Sequence, residues 1–286
     1  MASVRDIRRR IRSVKNMQQI TRAFQRVAFS RLRVAQQRTL ASRPYAEAIK
    51  EVLASLPPLS GNDRDELQQV RPVRKVVVVH ITPDRGLCGA LPGNINRLLG
   101  RFVREQSVPV SVICAGRRGR DFVLRSGSAL VADFSGLGDN PTVDNAFAIA
   151  RATLDEFRGG RADAVYLIYT KLINTLRQEP TIVQLLPVVP PEPADGRRQG
   201  VRALVEFEPE PREVLRYLLP RYLDMQVFQA LLESKASEQS ARMVAMQNAS
   251  DNARELVASY TLSYNKLRQA GITRELAEIV GGAAAL

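Results

Sequence analysis

Histidine and cysteine are almost missing from this 286-residue chain: His80 is the one histidine, and Cys88 and Cys114 are the two cysteines. His80 ends an apolar run, VVVVH, which reads as a satisfied, half-buried strand residue. Two cysteines without close spacing argue against a metal knuckle or a disulfide framework and read as free thiols in a reducing compartment. So few of these residues cannot build the usual zinc site or a Ser-His-Asp triad. No stretch of eighteen apolar residues is present, so no membrane-spanning helix is expected. The basic N-terminus has no apolar core behind it, which excludes a secretory signal. It is Arg-rich and acid-poor like a transit peptide, yet its sustained helical pattern assigns it to the mature fold. The acids are dispersed and offer no convergent pair for acid/base work. No catalytic residue, cofactor or metal is therefore expected.

What is present is a core-forming chain, 45% hydrophobic, with a net charge of +13. The charge is uneven. Residues 1–50 hold 13 lysines and arginines against Asp6 and Glu47, a net of +11, whereas residues 209–286 hold nine of each sign.

Long glycine-free stretches lie toward both ends. Residues 3 to about 56 contain none, and Ser3 with Asp6 can cap the start of a helix there. Val4, Ile7, Ile11, Val14, Met17, Ile20, Phe24 and Val27 step by three or four, a narrow coiled-coil-like stripe. Pro44 is expected to kink or break that helix. From Glu210 to Leu286 the chain reads as a second helix, without glycine until Gly271. Its stripe is Ala249, Ala253, Leu256, Tyr260, Tyr264, Leu267, Gly271 or Ile272, Leu276 and Ile279. Such a helix spans on the order of 110 Å, wider than a globular domain. Packed antiparallel, it outlasts its partner by about 30 Å. The surplus, Leu267–Leu286, is apolar and asks for a sleeve made by another protein.

Between the helices the character changes. Residues 57–72 are a polar, Pro-rich linker. Strands are expected at 75–81, 109–115, 129–132, 164–169, 180–187 and 203–208, the fourth and fifth able to pair as a hairpin. Helices are expected at 95–105, 117–126 and 141–157, with Pro141 in a first turn, and a loop at 190–200. Alternating strands and helices imply a mostly parallel sheet covered on both faces. The organisation expected is a coiled-coil helix over 1–56, a central Rossmann-like α/β domain over 73–208, and a coiled-coil helix over 209–286.

Three features invite a function. The loop DRGLCGALPG sets Gly86, Gly89 and Gly93 between strand and helix, as phosphate-cradling loops do, but matches neither G-x-G-x-x-G nor the Walker sequence. Arg117 and Arg118 could suit an extra phosphate; the alternative is a tight turn in a doubly wound scaffold. The Arg-rich first helix fits an acidic protein surface, a solvated face or nucleic acid, in that order, because stacking aromatics are not interleaved. In ASEQSARMVAMQNAS, Ala236, Ala241, Ala245 and Ala249 suit close helix packing, with Met243 and Met246 as seam fillers.

The segments RDIRRRIRSVKNMQQITRAF, DRGLCG, NTLRQEPTIVQLLP, ESKASEQSARMVAMQNASDNA and YNKLRQAGITRELAEIVGGAAAL resemble, in order and over the whole length, the gamma subunit of F-type ATP synthases. The resemblance implies a non-catalytic rotor shaft. Its terminal helices would run through the hexamer of alpha and beta subunits, and its α/β domain would form a foot with the epsilon subunit on the c-ring. Ion flow would turn ring and shaft and drive each beta site through its conformations for ATP synthesis, peripheral to the cytoplasmic face of the cell membrane, with no nucleic-acid partner. The implied bearing and catch residues are Arg242, Arg268, Gln269, Thr273 and Glu275; Phe207, Glu208 and Pro209 match the stretch near the c-ring. Where members commonly read ITKAMKMVAAAKLR, this chain reads ITRAFQRVAFSRLR. Phe24, Arg26 and Phe29 then imply a repacked shaft or a tighter contact with beta subunits. The cysteine-bearing insertion of chloroplast members is absent, and without an evident presequence a bacterial origin is expected.

Overall fold

The computed structural model describes residues 3–55, 65–189 and 210–284. The expected loop at 190–200, the expected strand at Ala203–Glu208, and Phe207, Glu208 and Pro209 lie outside the described residues, as do the first half of the linker and the last two residues of the tip. The elements in chain order are α1 (Val4–Ser55), β1 (Val76–Ile81), α2 (Leu91–Glu105), β2 (Val110–Ala115), α3 (Arg117–Ser126), β3 (Ala129–Asp133), α4 (Val143–Arg158), β4 (Ala164–Leu172), β5 (Gln178–Leu186) and α5 (Pro211–Ala284). α1 and α5 are helical straight through Pro44 and Pro220. The chain divides into two compact units, one of residues 1–29 with 242–286, the other of residues 30–241.

The larger unit is built on a five-stranded sheet in the order β3-β2-β1-β4-β5. β1 pairs in parallel with β2 and β4, β2 in parallel with β3, and β5 closes an antiparallel hairpin with β4. β1 is buried at all six positions, and its side chains alternate between two cores. Val76 and Val78 join Ile95, Leu99 and Phe102 of α2 and Val123 of α3. Val77, Val79 and Ile81 join Ile149 and Phe157 of α4, Ala46 and Ile49 of α1, and Leu219 and Leu231 of α5. A strand covered on both faces needs an unbroken apolar run rather than alternation, and VVVVHI supplies one.

Local chemistry sets the element ends. Thr142 caps α4 with a reciprocal box to Asn145, so Pro141 precedes the cap instead of sitting in the first turn. Gly116 carries φ of +123°, and a Cβ there would lie 2.0 Å from the Thr82 carbonyl oxygen. Only glycine fits between β2 and α3 at that point.

In the smaller unit the first part of α1 and the last part of α5 lie antiparallel. Ser3 and Asp6 form the expected cap, Asp6 N–H donating to Ser3 Oγ and Ser3 N–H to Asp6 Oδ2, 3.2 Å each. The Asp6 carboxyl is held below its ordinary range by its hydrogen bonds to Ser3. Arg8 donates to the Tyr264 hydroxyl at 2.6 Å, and Gln25 pairs with Gln247. Seventeen residues forward on α1 thus match seventeen backward on α5.

Candidate partner-binding surfaces

The glycine-bearing loop after β1 is the place where a doubly wound sheet would hold a phosphate. Its side chains and backbone are spent instead on the start of the neighbouring helix α3. Asp84 Oδ1 accepts from the backbone N–H of Arg117 at 3.0 Å and of Gly136 at 3.1 Å. Arg118 N–H donates to the Pro83 carbonyl at 3.1 Å, and Gly119 N–H to Thr82 Oγ1 at 2.8 Å. The first three backbone donors of α3 are therefore committed within the chain. Leu231, Ser234, Lys235 and Glu238 of α5 close over Thr82, Asp84 and Gly116 and leave a cavity of about 10 Å³, room for one water. The tight-turn reading of this loop is the one the geometry favours.

His80 is fully buried on β1, with Nε2 2.9 Å from Asn96 Oδ1. Burial pushes its pKa down to about 4, opposed by the bond to Asn96. It stays neutral at physiological pH and touches no solvent. Cys88 and Cys114 are buried and form no disulfide, and burial pushes the Cys114 thiol up to about 12. Among the described residues, no three His, Cys, Asp or Glu side chains converge as metal ligands. No described helix is long and apolar enough to cross a membrane.

Within the larger unit, α5 is hydrogen-bonded to the sheet through a run of small polar residues. Ser234 Oγ accepts from Thr170 N–H at 3.3 Å, and Ser237 donates to the Thr170 carbonyl at 3.0 Å. Ser240 donates to the Thr175 carbonyl at 2.7 Å. Gln239 donates to Asp139 at 3.3 Å, and Asp139 holds Arg31 of α1 at 2.7 Å. Lys235 and Glu238 form a buried ion pair at 3.0 Å. Of the small residues in this segment, Ala236 is buried as expected. The serines interleaved with it carry the anchorage, and alanine spacing alone did not point to them.

The helix seam differs from the stripe expected for α1. Buried and half-buried positions run Ile7, Ile11, Val14, Gln18, Thr21, Gln25 and Ala28 in the smaller unit, then Leu32, Ala35, Thr39, Ser42, Ala46, Ile49 and Leu53 in the larger one. The steps alternate four and three throughout, the 3.5-residue repeat of a coiled coil. The expected stripe leaves this seam after Val14. Met17, Ile20, Phe24 and Val27 lie off it, Met17 55% and Phe24 45% exposed. Phe29 and Arg26 are exposed as well. On α5 the seam is Met246, Ser250, Ala253, Val257, Tyr260, Tyr264 and Leu267, again in steps of four and three, and Leu256 is off it.

The register of Arg8 on Tyr264 places the start of α1, Val4, opposite about Arg268. Beyond that point α5 has no α1 residue beside it. Ile272, Leu276, Ile279 and Val280 are exposed there, Val280 67%. Arg268, Gln269, Thr273 and Glu275 are exposed on this same stretch. Arg242 is half-buried and about 39 Å earlier on the helix at 1.5 Å per residue, so these five residues form two separate places.

A pair of long terminal helices joined to a five-stranded, mostly parallel sheet with helices on both faces defines an α/β protein with a coiled-coil extension. A family model described as ATP synthase matches residues 3–286. The ATP synthase gamma chain of Dehalococcoides mccartyi (strain ATCC BAA-2266 / KCTC 15142 / 195) is 51% identical over 288 residues, covering 100% of each chain. A chain of the Tetrahymena thermophila mitochondrial ATP synthase, in a structure of central stalk and c-ring, matches 81% of this chain and 99% of its own, with 26% identity and a TM-score of 0.61. A chain of the Euglena gracilis mitochondrial ATP synthase, in an OSCP/F1/c-ring structure in rotational state 3, matches 99% of this chain and 94% of its own at a TM-score of 0.71; its 21% identity speaks to the fold alone. The chain belongs to the ATP synthase gamma chain family.

Proposed function

We propose that this chain is the central rotor shaft of an F-type ATP synthase, coupling ion-driven rotation of a c-ring to conformational change at beta-subunit catalytic sites. The observation that carries the reading is the unaccompanied, apolar end of α5. An exposed apolar helix face of that length needs a surrounding partner, and the alpha–beta hexamer is the sleeve that the family supplies. Stiffness follows from the sequence, since α1 has no glycine and α5 none before Gly271. The chain itself catalyses nothing in this reading. It belongs to the complex at the cytoplasmic face of a bacterial membrane, held there through the c-ring and the epsilon subunit.

Arg268, Gln269, Thr273 and Glu275 are proposed as contacts of the far end of the shaft with the hexamer, and Arg242 as a separate contact lower down. Phe207 and Glu208 are proposed to meet the c-ring region. The off-seam, exposed positions of Phe24 and Phe29 support a tighter contact with beta subunits over a repacked shaft.

A native pull-down of the tagged chain from its source membranes tests the reading. The expected recovery is a large complex with ATPase activity. Recovery of the chain alone from membranes that retain that activity overturns it.

A further inference from the structure

In residues 30–241, α2 and α3 cover one face of the sheet, and their outer side is basic. From Arg97 to Arg125 the chain carries seven arginines and no lysine, with only Glu105 and Asp121 as acids. On α2, Arg97, Arg101 and Arg104 step by four and three, on the side away from buried Ile95, Leu99 and Phe102. α3 lies alongside and runs the same way. Asn96 Nδ2 donates to the Arg118 carbonyl at 3.4 Å, and one turn on, a Cβ at Gly100 would meet Phe122 Cζ at 3.5 Å. A further turn sets Arg104 level with Arg125. Part of the charge is engaged: Arg97 donates to Asn94 at 2.6 Å, and Arg120 pairs with Asp121 at 3.0 Å and Asp133 at 3.4 Å. Arg101 and Arg104 are exposed and have no side-chain partner among the described residues. Arg125 is exposed and gives one N–H to the Asp121 carbonyl at 2.9 Å. Leu124, next to it in the chain, is 60% exposed.

Cations in the last turn complement a helix dipole, but Arg101 precedes the last turn of α2 and has no such role. Guanidinium groups suit phosphate through their paired N–H donors. Phe102 is buried and Phe122 half-buried, so this side offers no platform for stacked bases. An exposed leucine beside cations instead suits a layer of headgroups over acyl chains. The fold sets where the surface stands. Ser234 meets Thr170 and Ser240 meets Thr175, so α5 runs in the direction of β4. α2 and α3 return against the parallel strands. Arg104 and Arg125 therefore stand at the end of the sheet from which α5 starts, just after Phe207 and Glu208 in the chain. We propose that Arg101, Arg104 and Arg125 form a docking surface for the anionic phospholipid headgroups of the membrane that carries the c-ring, an assignment that rests on the rotor reading. A fluid lipid surface can keep such a contact at every angle of a turning shaft; a stationary protein partner could hold it at only one.

The full-length chain with Leu124→Cys, labelled with a benzophenone, tests this; Cys88 and Cys114 are buried. Illumination with phosphatidylglycerol vesicles is expected to give a lipid adduct in the intact mass, and phosphatidylcholine vesicles only background. Adding Arg101→Gln, Arg104→Gln and Arg125→Gln is expected to weaken the binding that the adduct reports about 100-fold, at about fivefold per cation. Arg9→Gln, Arg10→Gln and Arg12→Gln on α1 remove the same charge and are expected to leave it within about threefold. In the assembled ATP synthase in its native membrane, the label is expected to mark phospholipid. Vesicle binding that falls equally in both triple variants, or a label that marks a protein subunit in the complex, overturns the proposal. A chain that the pull-down recovers alone overturns the rotor reading instead, and the vesicle comparison still decides the surface.

Discussion

The two units solve burial in opposite ways. In residues 30–241 a two-sided core encloses the middle of the sheet, and the layers on both faces leave β1 no exposed position. In the smaller unit the helix pair encloses a single narrow seam, part of it polar, and leaves Met17, Ile20, Phe24, Val27, Ile272, Leu276, Ile279 and Val280 outside. The first unit has a two-sided core of its own. The second is apolar on the outside and polar at one level inside, the reverse of a self-sufficient domain. Apolar surface that a chain does not cover contributes nothing to its own stability and is available for association.

The contrast can be broken hardest in the sheet core. Phe157 has no exposed surface, and its ring sits beneath the Arg71 guanidinium at 5.1 Å. Phe157→Ala is expected to cost about 3–5 kcal/mol by lost transfer and cavity formation, read as a lower midpoint in denaturant unfolding.

Next comes pH. His80 is neutral when folded, with a pKa of about 4, against an ordinary value of roughly 6.5 when unfolded. The unfolded chain binds the proton first, so stability is full above pH 6.5 and falls as pH drops toward 4. Below that the loss from this residue levels off at about 3 kcal/mol, from a shift of roughly 2.5 pH units at 1.36 kcal/mol each. Unfolding followed from pH 7.5 to 4.5 checks this; His80→Gln is expected to flatten the part of the slope that His80 contributes. Stability that rises as pH drops through that window would show that His80 is charged in the fold.

The smallest effect on the chain itself is expected off the seam. Phe24→Ala should change the stability of the isolated chain by less than about 0.5 kcal/mol, because nearly half of its surface already meets solvent. The same substitution is expected to weaken assembly with the alpha and beta subunits, measured as recovered ATPase complex. Unchanged assembly together with a large loss of chain stability would place Phe24 in the seam after all.

These differences also mark what could be read from the residues. The strands were legible because VVVVH, PVSVICA and AVYLIY are β-branched or aromatic runs bounded by turn residues. Thr142 was harder, since Pro141 drew the helix start two residues early and the capping box to Asn145 decided it. The seam of α1 misled after Val14. Steps of three and four among apolar residues give a helix face, but they do not say whether the face meets the same chain or another. Gln18, Thr21 and Gln25 carry the seam inward, and an apolar count passes over them. The residues expected at the bearing and catch came through the family resemblance; periodicity alone had no means to single out exposed Arg268, Gln269, Thr273 and Glu275. Asp84 was hidden for a different reason. A carboxylate that caps a helix 33 residues away looks, in sequence, like any other turn residue.

The matched spacing of Arg8 on Tyr264 and Gln25 on Gln247 makes the helix pair a ruler. Each position on α1 reads off one position on α5, and the Ser3–Asp6 cap is its zero mark. Unwinding the first turn of α1 would add about 5.4 Å to the free end, and extending that turn would take as much away. The reach of the terminal helix is thus graduated by the opposite end of the chain, more than 260 residues away.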